Sequence, residues 1–357
     1  MRISSLPRIS QRAPRHRWIP VSGLQSIPGK TLAIIQPEDR DFFERELASF
    51  LPDRVFDAHA HVWGHHNMHP GRRIASLPRD GDYREFSGML QALHPGRACA
   101  ANVFHRICPR EHFEGANRWT SRQVACNPRY RGLFLTGPEA DPEWLRQEVR
   151  RLGLAGLKCY HVYAGVRPTW EAQIPDFLPE SHVEMAHQEG WAIMLHMVRS
   201  RACADPGNIR WIRHYCTTYP DMKLILAHSA RGFQPAHNLE GLPHLRGLDN
   251  LWFDTSANCE AMAHQAIIRI IGHRRLMYGT DIPVSHLRGR SAAAADTFFW
   301  AYQDSPVWGE KHSEIKPVLI GLEHLRSLKW ACWSERLSDA QVEDIFWNNA
   351  AELFAVE

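Results

Sequence analysis

The stretch Val55-Phe56-Asp57-Ala58-His59-Ala60-His61-Val62-Trp63 holds the residues best suited to chemistry. Its period of two predicts an extended strand with Asp57, His59 and His61 on one face. Polar groups on a face where a core strand carries apolar ones need partners. A metal ion is the usual partner of two imidazoles this close, although a hydrogen-bonded pair of core histidines fits the same pattern. Further ionisable residues follow short apolar runs later in the chain. They are Lys158 in Gly-Leu-Lys-Cys-Tyr, His196 closing Ala-Ile-Met-Leu-His, His228 closing Leu-Ile-Leu-Ala-His, and Asp281 in Tyr-Gly-Thr-Asp. Each is expected at a rim where neighbouring strands converge.

The elements that must position them alternate. Strands are predicted at Arg54–Val62, Ala98–Phe104, Gly132–Leu135, Leu154–Tyr160, Ala192–His196, Lys223–Ala227, Leu251–Asp254 and Leu276–Tyr278, with helical segments between them. Asp141 and Pro142 open one helix as N-cap and first residue, and Gly190 closes another. Eight strands in this alternation define a (β/α)8 TIM barrel, whose functional groups lie at the C-terminal strand ends. The reading divides the chain into a basic arm with a short helix (1–50, the helix at Asp41–Leu51) and the barrel (51–357). It places a helical insertion at 286–335 and packs a last helical piece, Ser338–Phe354, on the barrel's outside. Segment 64–83 reads as a long loop over the end of the first strand.

The chain has 357 residues, 44% hydrophobic and 23% charged, enough for one large barrel plus extensions. A formal charge of +3 argues against a nucleic-acid partner. No apolar run approaches the ~18–20 residues of a membrane span. Eight cysteines without a Cys-x-x-Cys pair read as reduced thiols of a cytoplasmic protein. The first 37 residues lack Asp and Glu. Their composition is like that of a transit peptide, but Pro7, Pro14, Pro20 and Pro28 oppose an amphipathic helix, so a surface arm is preferred. The arm and a tryptophan-rich insertion suggest a homodimer.

The motifs Asp57-Ala58-His59-Ala60-His61, Ala227-His228-Ser229 and Tyr278-Gly279-Thr280-Asp281-Ile282-Pro283, with the tail Val342–Ala350, resemble the amidohydrolase superfamily. They are closest to its amidohydrolase-2, or decarboxylase-type, branch. The resemblance runs from about Arg54 to Phe354 and leaves out the arm and the 286–335 insertion. It implies one metal held by His59, His61, His196 and Asp281, with zinc, iron and manganese all compatible. It also implies metal-bound hydroxide at neutral pH, Asp281 as proton acceptor and His228 as carbonyl polariser or acid/base. Asp57 would orient a ligand rather than bind. Lys158 stays open. In members with two metals a carboxylated lysine bridges them, and His196 and His228 bind the second. Otherwise Lys158 would fix a substrate carboxylate.

Arg199 and Arg231, after His196 and His228, are candidates to clamp an anionic substrate, and Tyr160 is a candidate pocket wall. The favoured function is hydrolysis of an amide, ester, thioester or lactone of a small anionic molecule. The alternative is nonoxidative decarboxylation or hydration of an unsaturated or aromatic acid. A scaffold protein would have lost ligands, and none is missing; a sugar-acid isomerase fits the strand-eight and tail motifs poorly.

Overall fold

The computed structural model describes residues 35–68, 78–309 and 316–357. The basic arm, apart from its last residues, lies outside the described residues. Nine parallel strand segments form the centre: β1 Arg54–Val62, β2 Ala98–His105, β3 Tyr130–Gly132, β4 Phe134–Thr136, β5 Gly156–Tyr160, β6 Ala192–His196, β7 Lys223–Leu226, β8 Leu251–Asp254 and β9 Leu276–Met277. The predicted Gly132–Leu135 strand is the pair β3 and β4, interrupted at Leu133. Leu133 N donates to Val103 O (3.1 Å) and Ala155 N to Gly132 O (2.8 Å), so the two segments act as one stave. Ala58 N donates to Tyr278 O and Asp281 N to His59 O, both at 2.8 Å. These bonds join the last strand to the first and complete an α/β TIM barrel. Its strands are buried on both faces, hence their continuous apolar runs.

β1 departs from the predicted alternation. The pairing of β1 with β2 runs Asp57↔Ala101 and then Ala60↔Val103, so an extra residue bulges in between. Phe56 and Ala58 join the inner cluster with Met194, Ile225 and Met277, whereas Ala60 and Val62 pack outward on Phe86, Met89 and Leu90. The bulge therefore lets His59 and His61 take the inner face after Phe56 and Ala58. It separates them from Asp57, which the period-two reading had put beside them.

The helices follow their local signals. The Asp141 side chain accepts from Trp144 N (2.9 Å) at the start of Pro142–Arg151, and Gly190 closes Glu180–Glu189 at φ 65°. The first helix begins earlier than expected, at Pro37, and runs through a π turn at Phe43–Leu47. Among the described residues of 286–335 the long helix is confined to the end of the segment. A hairpin, β10 Gly289–Ala294 with β11 Thr297–Tyr302, precedes the helix Ile320–Ser334. Alanines face aromatics across it (Ala293↔Phe298, Ala292↔Phe299), and an alanine run alone reads as helix.

The C-terminal piece does not lie wholly outside the barrel. Trp347, Leu353 and Phe354 join the inner cluster, and Phe354 stacks on Phe56 at 5.9 Å. They cover the end where the strands begin, which would otherwise expose apolar interior. All eight cysteines are free. Among the described residues no helix is long and apolar enough to cross a membrane.

Burial holds several histidines neutral outside the site. His94 is pushed down to about 3, and His264 and His286 to about 4, from 6.5. The unfolded chain protonates these rings below pH ~6.5. Their contribution to stability is thus full above pH 6.5 and lost as pH falls towards 4. Each ring contributes up to about 1.4 kcal/mol per pH unit in that window. Urea melts are expected to show a midpoint falling steeply between pH 6.5 and 5, and an unchanged midpoint would contradict this account.

Candidate active site

The C-terminal strand ends bring together much of the predicted set. His59 Nδ1 is 2.9 Å from Asp254 Oδ2. Aspartate accepts, so Nδ1 carries the proton and the lone pair of His59 sits on Nε2. That nitrogen is buried and has no hydrogen-bond partner among the described residues. Asp281 Oδ1 lies 3.6 Å from it and 3.0 Å from His61 Nε2. Burial pushes His59 down to about 3, helped by the nearby Lys158 charge, and burial also lowers His61. His196 falls well below its usual range through burial, helped by the nearby Lys158 charge. These three rings are therefore neutral at pH 7, the form that binds metals. Burial raises Asp281, but the His61 hydrogen bond counters it, and the carboxylate is held well below its usual range and stays ionised.

Asp254, read from sequence as a possible backbone cap, is the hub beneath this group. Besides His59, it accepts from His228 N (3.1 Å), Ser256 N (3.0 Å) and Ser256 Oγ. Burial opposes its charge, yet His59 and the other donors hold it well below the usual carboxylate range. His228 Nδ1 meets the Ser256 carbonyl at 3.0 Å, which leaves Nε2 as the lone-pair nitrogen. Asp57 serves the opposite seam. It accepts from His59 N (3.1 Å), Thr280 N (2.8 Å) and Thr280 Oγ1, and so fixes the residue before Asp281.

The backbone here is wound against the preference of L-residues. His228, Ser229, Ala230 and Arg231 have φ of 58°, 52°, 57° and 54°, and Asp281 has 57°. Left-handed conformation costs roughly 1–2 kcal/mol per residue. It persists where surrounding bonds over-determine it, commonly at functional sites.

Lys158 is fully buried, and its Nζ has no hydrogen-bond partner among the described residues. It lies 4.5 Å from the centre of the Phe104 ring and 4.7 Å from that of Tyr160. Burial lowers it to about 8. It does not line the cavity over the site. That cavity, about 200 Å³, is lined by His61, His196, His228 and Asp281, with Arg106, Tyr160, Ile107, Pro283 and Val284. His196 faces His228 with ring centres 5.0 Å apart.

The predicted arginines go elsewhere. Arg199 donates to Asp205 (3.2 Å) and to the Glu171 carbonyl (2.7 Å). Arg231 donates to the Arg199 carbonyl (3.0 Å). Neither lines the cavity. Arg106 does, and sequence reading passed over it. Its signal was its place just past β2, the same kind of position that marked the other residues.

Among the described residues, two groups of side chains have the reach to hold a cation. In His59, His61 and Asp281 the ligand atoms lie within 4.8 Å of one another, and so do those of His59, His228 and Asp254. The second group is already joined by the His59–Asp254 hydrogen bond and by Asp254's grip on the His228 backbone. The first contains the unpartnered His59 Nε2 and two further donors, a set that fits a divalent transition metal. His196 belongs to neither group.

A parallel barrel with imidazoles and a carboxylate gathered over its C-terminal strand ends belongs to the class of TIM-barrel enzymes. The amidohydrolase family model matches residues 56–356, and the chain belongs to that family. No curated protein sequence matches it. Among solved structures it is similar to a zinc-bound amidohydrolase from Burkholderia multivorans (TM-score 0.55, 15% identity, 85% of this chain and 99% of that one). It is also similar to a putative 2-pyrone-4,6-dicarboxylic acid hydrolase from Pseudomonas putida (0.53, 19%, 86% and 99%). A third is a dihydroxybenzoic acid decarboxylase from Polaromonas sp. JS666 with bound manganese (0.51, 17%, 85% and 98%). At these identities the likeness is one of fold.

Proposed function

We propose that the protein is a metal-dependent hydrolase of a small carboxylate-bearing ester, thioester, lactone or amide. The observation that carries this reading is the trio His59, His61 and Asp281 beside a cavity that Arg106 also lines. One divalent metal would be held by His59, His61 and Asp281, with His196 from the same cavity as a further donor. When bound, such an ion acidifies water from ~15.7 towards ~7 and polarises a carbonyl.

The chain's own residues supply the rest. Asp281 accepts the proton of the attacking water as its oxygen bonds to the carbonyl carbon. The same proton goes to the leaving oxygen, sulfur or nitrogen as that bond breaks. His228, with Nδ1–H committed to Ser256, offers a bare Nε2 at the cavity and serves as a second proton acceptor. Lys158 contributes charge: it disfavours protonation of His59 and His196 and so keeps both free to ligate.

The test begins with metal content per chain. Two equivalents would return Lys158 to a bridging role. The stripped protein, reloaded with zinc, manganese or iron, is then offered carboxylate-bearing esters, lactones, thioesters and amides. Metal-dependent hydrolysis supports the reading; carbon dioxide release from aromatic acids, with no hydrolysis, would replace it with the decarboxylase alternative.

Arg106 gives this reading a residue-level check. Arg106→Gln is expected to raise KM for the anionic substrate about 10- to 100-fold, since a hydrogen bond to a charged group is worth about 1.5–3 kcal/mol. The neutral methyl ester analogue should be unaffected. Equal losses on both would show that Arg106 does not read the carboxylate.

A further inference from the structure

The turn that presents His228 is held by a hydrogen-bonded ring that leaves this residue and returns to it. Asn258 Nδ2 donates to His228 O (3.3 Å). His264 Nε2 meets the Asn258 carbonyl at 3.0 Å, and His264 Nδ1 meets Ser229 Oγ at 2.8 Å. Ser229 is the next residue after His228. A carbonyl can only accept, so His264 Nε2 carries the proton and Nδ1 accepts from the Ser229 hydroxyl. Ser229, Asn258 and His264 are fully buried.

Two further side chains brace the ring. Asn238 Nδ2 donates to Ser229 O (2.9 Å). Ser327 Oγ, on the helix Ile320–Ser334, lies 3.1 Å from both His264 Nε2 and the Asn258 carbonyl. Neither Ser229 nor His264 lines the cavity. What they grip is the left-handed run 228–231, a conformation the chain would leave if released.

We propose that Ser229 and His264 are positioning residues that hold the left-handed turn and thereby aim the His228 imidazole into the cavity. The proposal rests on the reading of His228 as the group facing substrate. It also assigns a task to the helix Ile320–Ser334, which through Ser327 reaches a ring ending at the site.

The test compares Ser229→Ala, His264→Ala and His264→Gln by crystallography, kinetics and thermal melting. In the two alanine variants one or more of residues 228–231 is expected to leave the left-handed region. His228 Nδ1 should then move out of hydrogen-bond reach of the Ser256 carbonyl. Turnover should fall about 100-fold in kcat, the scale of a 1 Å misplacement, with KM within about twofold. In His264→Gln the side-chain amide still offers an oxygen to the Ser229 hydroxyl, so this variant is expected to regain about tenfold of that loss. If both alanine variants melt at lower temperature while the turn and the His228 ring stay in place, the ring is merely structural and the proposal is overturned. Should His264→Ala not fold, Ser229→Ala decides the matter alone. Should no hydrolysed substrate be found, the hydrolase reading fails, but the crystallographic comparison still decides whether these residues aim His228.

Discussion

Asp281→Asn is expected to lower kcat/KM by on the order of 10³-fold, within the 10²–10⁴ attributed to a positioned general base, while leaving the fold intact. The replacement keeps size and shape. It removes the charge that lies 3.0 Å from His61 Nε2 and 3.6 Å from His59 Nε2. An amide is a poor proton acceptor and a weaker ligand than a carboxylate, so bound metal per chain should fall in parallel. Its backbone need not change, because Asn tolerates the left-handed φ of 57° found at this position. Metal content, far-ultraviolet circular dichroism and steady-state kinetics together check the expectation. A folded Asp281→Asn protein with undiminished turnover would remove the trio from the mechanism.

Asp254→Asn should have the next largest effect, and on a different quantity. Asp254 takes hydrogen bonds from the His59 ring, the His228 backbone and Ser256. An amide replaces one accepting oxygen with an N–H group that faces these donors. Loss of one partner from a buried charged network costs about 3–5 kcal/mol, so the urea midpoint should drop clearly. Loss of a carboxylate behind a ligating imidazole weakens metal affinity about 10–100-fold. Competition with a chromophoric chelator measures the second effect, and chemical denaturation the first. Unchanged metal affinity would mean that the His59–Asp254 bond serves folding alone. The two substitutions thus separate a residue proposed to meet the reacting atoms from one that bonds to His59 from behind.

How much of this was legible in sequence depends on the range of the interaction that decides each feature. Local signals carried far. Short apolar runs ending in His196, His228 and Asp281 marked the strand ends, because a buried strand advertises itself by composition. Asp141 and Gly190 marked helix ends because capping involves near neighbours. The paired histidines after Phe56 pointed to the site, and their order along the chain pointed to the family.

Features set by distant contacts were not legible. The bulge between Asp57 and Ala60 arises in pairing with β2, and it moved Asp57 away from the two histidines and onto Thr280. Asp254 gained its weight only when β8 came to lie beside His59 and His228. Arg199 and Arg231 sit at the expected chain positions, but Asp205, the Glu171 carbonyl and the Arg199 carbonyl take their donors. Arg106, unmarked by any motif, was brought to the cavity. The hairpin 289–302 came from cross-strand pairing of aromatics with alanines that, taken locally, favour helix. By itself, then, the sequence determined the barrel, the order of its ionisable residues and the kinship they imply. Only the tertiary structure decided which of those residues meet, since hydrogen-bond partners and cavity walls are chosen by side chains far apart along the chain.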